Sequence, residues 1–450
     1  MVFLEALLAF AVVIGILVTI HEFGHFWVAK SLGVKILRFS IGFGNPIWSR
    51  RFGKDETEFA IAPIPLGGYV KMLDEREGDV APEELHRAFN QQSLKVRSAI
   101  VFAGPFFNFL FAILAYTMMY MYGITGMAAL VGEVTPQGVA EQAGFHSGDQ
   151  IVAVNGQSTL RWSSVVEATL QEMLNDKKEL SYSVKNPQGY ESDLRLQLGN
   201  LTVDDIAGGE FFEKFGMLPF RPTLPALIGK VTVNSAAEKA GLKSGDKIIK
   251  LDNQEISNWT DLVKYIIQRP EQDIRVEIER NHQQLSLMLR PDNVNGKGRM
   301  GVYPQPFVMK ESYFVTERYG LWKAFTQGAE KTWDMSVLTL RLMAKMFTLQ
   351  ISYEHISGPI SIAEYAGKSA ELGIAIFLSF LALVSVSLGV LNLLPIPLLD
   401  GGHLFFYLIE GIKGSPVSEN TESVFQRVGL TLLIGLMGLA IFNDLGRILS

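Results

Sequence analysis

The stretch Ala6-Leu7-Leu8-Ala9-Phe10-Ala11-Val12-Val13-Ile14-Gly15-Ile16-Leu17-Val18-Thr19-Ile20-His21-Glu22-Phe23-Gly24-His25 decides how this chain is built. An uncharged apolar run leads directly into two histidines set four positions apart, with a glutamate after the first. On a helix the two histidines share one face a turn apart and can hold one ion. Glu22 lies about 100° around the helix from His21, where it can take a proton from a water rather than ligate the metal. In a soluble hydrolase such a helix lines a water-filled cleft. Here it ends a segment long enough to enter a bilayer, where ionisable side chains are costly and usually functional.

With 450 residues and 48% hydrophobic content, the chain is too apolar for a typical soluble protein and has room for several domains. Four segments are apolar enough to span: Phe3 to Val28, the uncharged run Ser98 to Gly132, the stretch between Glu371 and Asp400, and Val424 to Leu445. A cleaved signal peptide fits the start poorly, because Glu5 replaces the usual basic n-region and no small-x-small site follows. Lys30, Lys35, Arg38, Lys95 and Arg97 flank the first loop and place it in the cytoplasm; both termini and the long region between spans two and three then face outward. A net charge of -6 argues against nucleic acid as a partner, and the absence of cysteine excludes disulfides and thiol catalysis.

The outward region holds a duplication. Ala140-Glu141-Gln142-Ala143-Gly144-Phe145-His146-Ser147-Gly148-Asp149 returns as Ala237-Glu238-Lys239-Ala240-Gly241-Leu242-Lys243-Ser244-Gly245-Asp246. Each copy reads as a short helix closed by a left-handed glycine, a Gly-Asp turn, and strands joined by Asn-Gly or Asp-Asn turns. The repeat resembles the circularly permuted PDZ domains of bacterial periplasmic proteases. That resemblance implies peptide capture on a strand edge, at the elements Phe215-Gly216-Met217 and Met300-Gly301-Val302, with Met217 and Val302 in contact with the peptide; the alternative is that these elements only close the fold and the tandem serves as a steric, size-excluding gate.

A catalytic zinc needs a third protein ligand and an open position. His355 and His403 are possible donors. Asp400 is the stronger one, because Pro395 and Pro397 interrupt the third span just before it and free backbone groups that must face protein or a water-filled cavity.

Together His21 to His25, Gly104-Pro105 with Asn108, and Asn392 to Gly401 resemble the site-2 protease family of intramembrane zinc proteases. The resemblance covers essentially the whole chain. It implies Zn2+ held by His21, His25 and Asp400, Glu22 as the catalytic base, and Asn392 and Asn108 as substrate-binding residues. Relatives often carry a further asparagine where this chain has Ser387. The substrates it implies are single-span membrane proteins in the lipid bilayer: an anti-sigma factor already trimmed on the periplasmic side, and remnant signal peptides. The site would lie near the cytoplasmic face of a bacterial inner membrane.

The implied fold is a polytopic α-helical membrane protein with four transmembrane helices, a tandem of periplasmic α+β PDZ domains and a cytoplasmic-side membrane-reentrant β-hairpin. Residues 1–125 would hold the first two spans, 126–221 and 222–309 the PDZ modules, 310–371 an outer amphipathic region and 372–450 the last two spans. The hairpin would use Val34 to Gly44 and Glu58 to Met72, with Gly67 and Gly68 at the substrate and a free edge to pair with an unwound strand. Tyr319 to Leu349, with Trp322 and Trp333, reads as an amphipathic helix lying on the outer membrane surface. Two other readings compete with the enzyme: a PDZ-based membrane adaptor with an inert metal site, and a metal transporter.

Overall fold

A computed structural model describes residues 2–76, 78–199, 201–207, 209–220, 224–305, 313–348 and 350–449. The first helix, α1 (Val2–Ser31), carries the apolar run through both histidines without a break. It is followed by a four-stranded sheet of β1 (Ile36–Phe43), β2 (Trp48–Phe52), β3 (Thr57–Ile61) and β4 (Ile64–Met72), in the order β2-β3-β1-β4.

This sheet departs from the expected two-stranded hairpin. The segment from Glu58 to Met72 is split at Ala62-Pro63, because a proline cannot donate to a ladder. Its first half pairs parallel to β1 and its second half antiparallel. β2 is fully exposed along its length and carries Arg50 and Arg51, so it shows none of the period-2 alternation that marks a half-buried strand. The sheet's inner face, Ile36 and Phe39, packs with Phe26 of α1 and Ile100 of the next helix. β4 is thereby left as an edge strand beside α1.

Helix α2 (Leu94–Tyr122) contains Pro105, whose ring removes one hydrogen bond and bends the ladder. β5 (Ile124–Met127) leads into the first repeat. That repeat comprises β6 (Val131–Val134), α3 (Val139–Ala143), β7 (Gln150–Val154), β8 (Gln157–Ser158), α4 (Trp162–Leu174), β9 (Glu179–Lys185), β10 (Glu191–Gln197), α5 (Val203–Ala207), α6 (Phe211–Phe215) and β11 (Met217–Pro219). The second comprises β12 (Ile228–Val231), α7 (Ala236–Lys239), β13 (Lys247–Leu251), β14 (Gln254–Glu255), α8 (Trp259–Ile267), β15 (Ile274–Arg280), β16 (Gln283–Leu289), β17 (Asp292–Val294), β18 (Lys297–Arg299) and β19 (Val302–Pro304).

The duplication read in the sequence is a duplication of topology: sheet β10-β9-β7-β8 matches β16-β15-β13-β14, and the pair β6-β11 matches β12-β19. Gly144 and Gly241 both take left-handed φ, +93° and +81°, as a helix end in αL requires. The repeats differ where α5 and α6 stand in the first and the β17-β18 hairpin in the second. Two-strand pairing of β5 with β20 (Phe314–Glu317) ties the two ends of the tandem together, and Arg161 Nε meets Glu317 Oε1 at 2.7 Å across that junction.

After β20 come α9 (Leu321–Phe347), α10 (Pro359–Glu371), α11 (Ile374–Leu393), α12 (Asp400–Lys413) and α13 (Glu419–Leu449). Among the described residues, four helices are long and apolar enough to cross a membrane: α1, α2, α11 and α13. α9, which the sequence reads as amphipathic, has one buried face. It buries Ala324, Gly328, Thr332 and Met335 in a cluster with α2 and α11. Small residues at four-residue intervals let helix backbones approach closely; a Cβ on Gly328 would stand 2.8 Å from Thr117 Oγ1. Trp322 and Trp333 remain exposed on another side, and Lys331 and Lys345 pair with Glu167 and Asp176 of the first repeat.

Candidate metal centre

His21 and His25 project from one face of α1 as their spacing requires. Asp400 reaches them from the start of α12, because α11 ends at Leu393 and the prolines turn the chain through a loop rather than a helix. Leu398 in that loop has φ of +74°, a strained value for a bulky residue. Gly401 and Gly402, both buried, sit so close under the loop that a Cβ on Gly401 would stand 2.5 Å from the Leu393 carbonyl carbon.

The three donors converge on one point. His21 Nε2 and His25 Nε2 lie 3.2 and 3.5 Å from Asp400 Oδ2, and the two ring nitrogens lie 3.2 Å apart. Asp400 Oδ2 is buried with no hydrogen-bond donor of its own. Three donor atoms this close, one of them a buried carboxylate oxygen without a hydrogen-bond partner, form a site that a cation satisfies. Zinc bonds of about 2.0–2.1 Å at tetrahedral angles separate ligand atoms by about 3.3–3.4 Å. The spacing and the N/N/O donor set therefore fit zinc. His403 is outside this group, which is the one three-donor cluster among the described residues; the His355 side chain lies outside what is described.

α2 forms the floor of the site. A Cβ on Gly104 would stand 2.6 Å from His25 Cε1 and 2.7 Å from His21 Cε1, so no larger residue fits under the rings. Each ring is also held at its other nitrogen: His25 Nδ1 lies 2.8 Å from the Ile100 carbonyl oxygen, and His21 Nδ1 lies 3.2 Å from the Asn108 carboxamide. Asn108 is fully buried, and its own carbonyl accepts from Ser385 Oγ at 2.8 Å. Asn108, expected at the substrate, has its carboxamide against the His21 ring. Nothing in the sequence marked the Ile100 carbonyl. Ser385 had a signal, since it stands seven residues before Asn392 and shares its helix face.

Glu22 lies beside β4, where a Cβ on Gly68 would be 3.2 Å from its Cγ. Gly67 is packed under the Phe43 ring. Asn392 is half-buried in the last turn of α11, and Ser387 Oγ donates to the Leu383 carbonyl at 3.0 Å. Met217 and Val302 each follow a left-handed glycine (Gly216 +69°, Gly301 +75°). The Met217 side chain is wholly inside the core of the first repeat, so only its backbone is available to a peptide; Val302 is half-buried.

The sequence pattern of Peptidase family M50 matches residues 9–436. Full-length similarity is found to the "Regulator of sigma E protease" of Salmonella typhi, 43% identical over 98% of both chains. The "Regulator of sigma-E protease RseP" of Escherichia coli K12 is 42% identical over 99% of both. A third relative, the "Regulator of sigma E protease" of Haemophilus influenzae, is 42% identical over the whole of both chains.

Proposed function

The chain belongs to peptidase family M50, the site-2 proteases, and is a zinc metalloprotease; from that premise we propose that it cuts single-span membrane proteins within or beside their transmembrane segments. The observation that carries this reading is the convergence of His21, His25 and Asp400 from two distant parts of the chain, with Glu22 alongside. Relatives carry names for sigma-E regulation; on that ground the substrate proposed for this chain is an anti-sigma factor already trimmed in the periplasm, with remnant signal peptides as a second class. The protein sits in the bacterial inner membrane, the repeats in the periplasm and the centre near the cytoplasmic side.

Zinc, when bound, supplies a Lewis acid and makes a water acidic enough to attack at neutral pH. Glu22 takes the proton of the attacking water and passes it to the leaving amine. Asn392 donates to the substrate backbone or to the oxygen that gains charge. A peptide bond inside a helix is shielded by its own ladder, so the substrate must first be extended. β4 is the strand to extend it against: it ends its sheet, and Gly68 brings its backbone within reach of Glu22.

Residues 126–221 and 222–309 are read as PDZ modules; the residues 221–223 and 306–312 at their ends lie outside the described ones. Tied at one stalk by β5 and β20, they exclude substrates with bulky outer domains, and the strands after Gly216 and Gly301 are their peptide edges. The region 310–371 joins the tandem to residues 372–450. An adaptor with an inert site would not need Glu22 beside a complete ligand set, and a transporter would need more than one ligand set on its path.

The test is cleavage of a tagged single-span substrate in proteoliposomes, with and without a bulky outer domain. The parent cuts the trimmed form only and Glu22→Gln cuts neither. Cleavage by Glu22→Gln refutes the assignment of this site; equal cleavage of both forms by the parent refutes the gate.

A further inference from the structure

We propose that Asn108 is a positioning residue for the metal centre, its carboxamide oxygen accepting the Nδ1–H of His21 and so holding that ring in the tautomer that offers Nε2 to zinc. This rests on the ligand set proposed above. Both histidines turn Nε2 toward Asp400. A neutral imidazole that gives the lone pair of Nε2 to a metal carries its proton on Nδ1, and that N–H needs an acceptor. For His25 the acceptor is the Ile100 carbonyl, at 2.8 Å. For His21 the group in reach is the Asn108 carboxamide, at 3.2 Å.

The two ends of a carboxamide have the same shape, so the chemistry of the ring decides which one faces it. An NH2 group against an Nδ1–H would set donor against donor. With nitrogen toward the ring, Asn108 Oδ1 is a buried acceptor without a donor; with oxygen toward the ring, that oxygen and His21 Nδ1–H satisfy each other and the NH2 takes the unpartnered place, so the proton that zinc ligation puts on Nδ1 decides the orientation. The position is made for such a role. Asn108 has no exposure, and Ser385 of α11 donates to its backbone carbonyl, so α2 is tied to α11 at this residue. It stands one helical turn after Gly104, on the α2 face that floors the rings.

The test is zinc affinity by competition with a chromogenic chelator, on the full-length chain in detergent at pH 7, for Asn108→Leu, Asn108→Asp and His21→Ala. Asn108→Leu removes the acceptor and weakens zinc binding about 10- to 100-fold, while Asn108→Asp, an acceptor at both ends, holds zinc as tightly as the parent or more so. Asn108→Leu with parental affinity overturns the inference, as does Asn108→Asp binding as weakly as Asn108→Leu. If Asn108→Leu fails to fold, Asn108→Asp against Asn108→Gln, which displaces the oxygen by a methylene, carries the comparison. His21→Ala separates the two claims: zinc retained there refutes the ligand set, and zinc lost there but kept in Asn108→Leu refutes only the positioning role.

Discussion

Gly104→Ala puts one methyl group between α2 and the metal centre. The new Cβ would stand 2.6 Å from His25 Cε1 and 2.7 Å from His21 Cε1, whereas carbon atoms rest at about 3.5–4.0 Å. Relief therefore needs about 1 Å of movement. The rings cannot retreat freely, since His25 Nδ1 is tied to Ile100 and His21 Nδ1 to Asn108, both on the same helix as the intruder. Overpacking of this kind costs about 1–3 kcal/mol in stability, and a 1 Å misplacement at a reacting centre costs about 100-fold in rate. Purified Gly104→Ala should fold, lose cleavage of a single-span reporter by about two orders of magnitude, and release zinc to a chelator more readily than the parent. Parental cleavage together with parental zinc retention would refute the packing of α2 under the rings.

Other perturbations probe the supports of the site. Gly401→Ala meets backbone atoms of Leu393 that cannot swing aside, so it should destabilise the loop by more than about 2 kcal/mol and show as new proteolytic cutting near Asp400; an uncut, active variant speaks against that packing. Asp444 accepts from the backbone N–H groups of Gly358, Ile360 and Ser361 at 2.9–3.1 Å and from Ser361 Oγ at 2.6 Å, capping α10 from α13. Asp444→Asn should therefore lower stability by about 1–3 kcal/mol, and an unchanged melting temperature would contradict the cap. In the sheet that follows α1, hydrogen bonds from Arg87 and from Arg38 lower the carboxyl pKa of Asp55 and Glu58 respectively. A depressed carboxyl pKa stabilises the fold above its unfolded value of about 4 and loses that contribution as pH falls through the folded value. Protection of the sheet against proteolysis should thus decline below about pH 4, and Asp55→Asn should flatten that decline.

Much of this was legible in the sequence because it rests on local rules. An uncharged run marks a span, a repeat marks a duplicated module, and His21 and His25 share a face on any helix. Asp400 was legible because two prolines broke a span where a third ligand was needed. The four-stranded sheet was not, since exposed β2 has no alternation and the parallel pairing of β1 with β3 is a long-range outcome. For α9, the tryptophans and lysines drew attention to its wet face, while the Ala324-Gly328-Thr332 stripe that docks it on α2 went unread. Asn108 shows the general limit: its residue type announced a polar task inside a membrane helix, but only the packing of α1 on α2 shows that it faces a ligand ring.

Zinc counted per chain in the purified parent, in Glu22→Gln and in Asp400→Asn, alongside cleavage by each, tests the central claim most directly. One zinc is expected in the parent and in Glu22→Gln, much less than one in Asp400→Asn, and cleavage by the parent alone. A full zinc complement and continued cleavage in Asp400→Asn would refute the three-ligand centre.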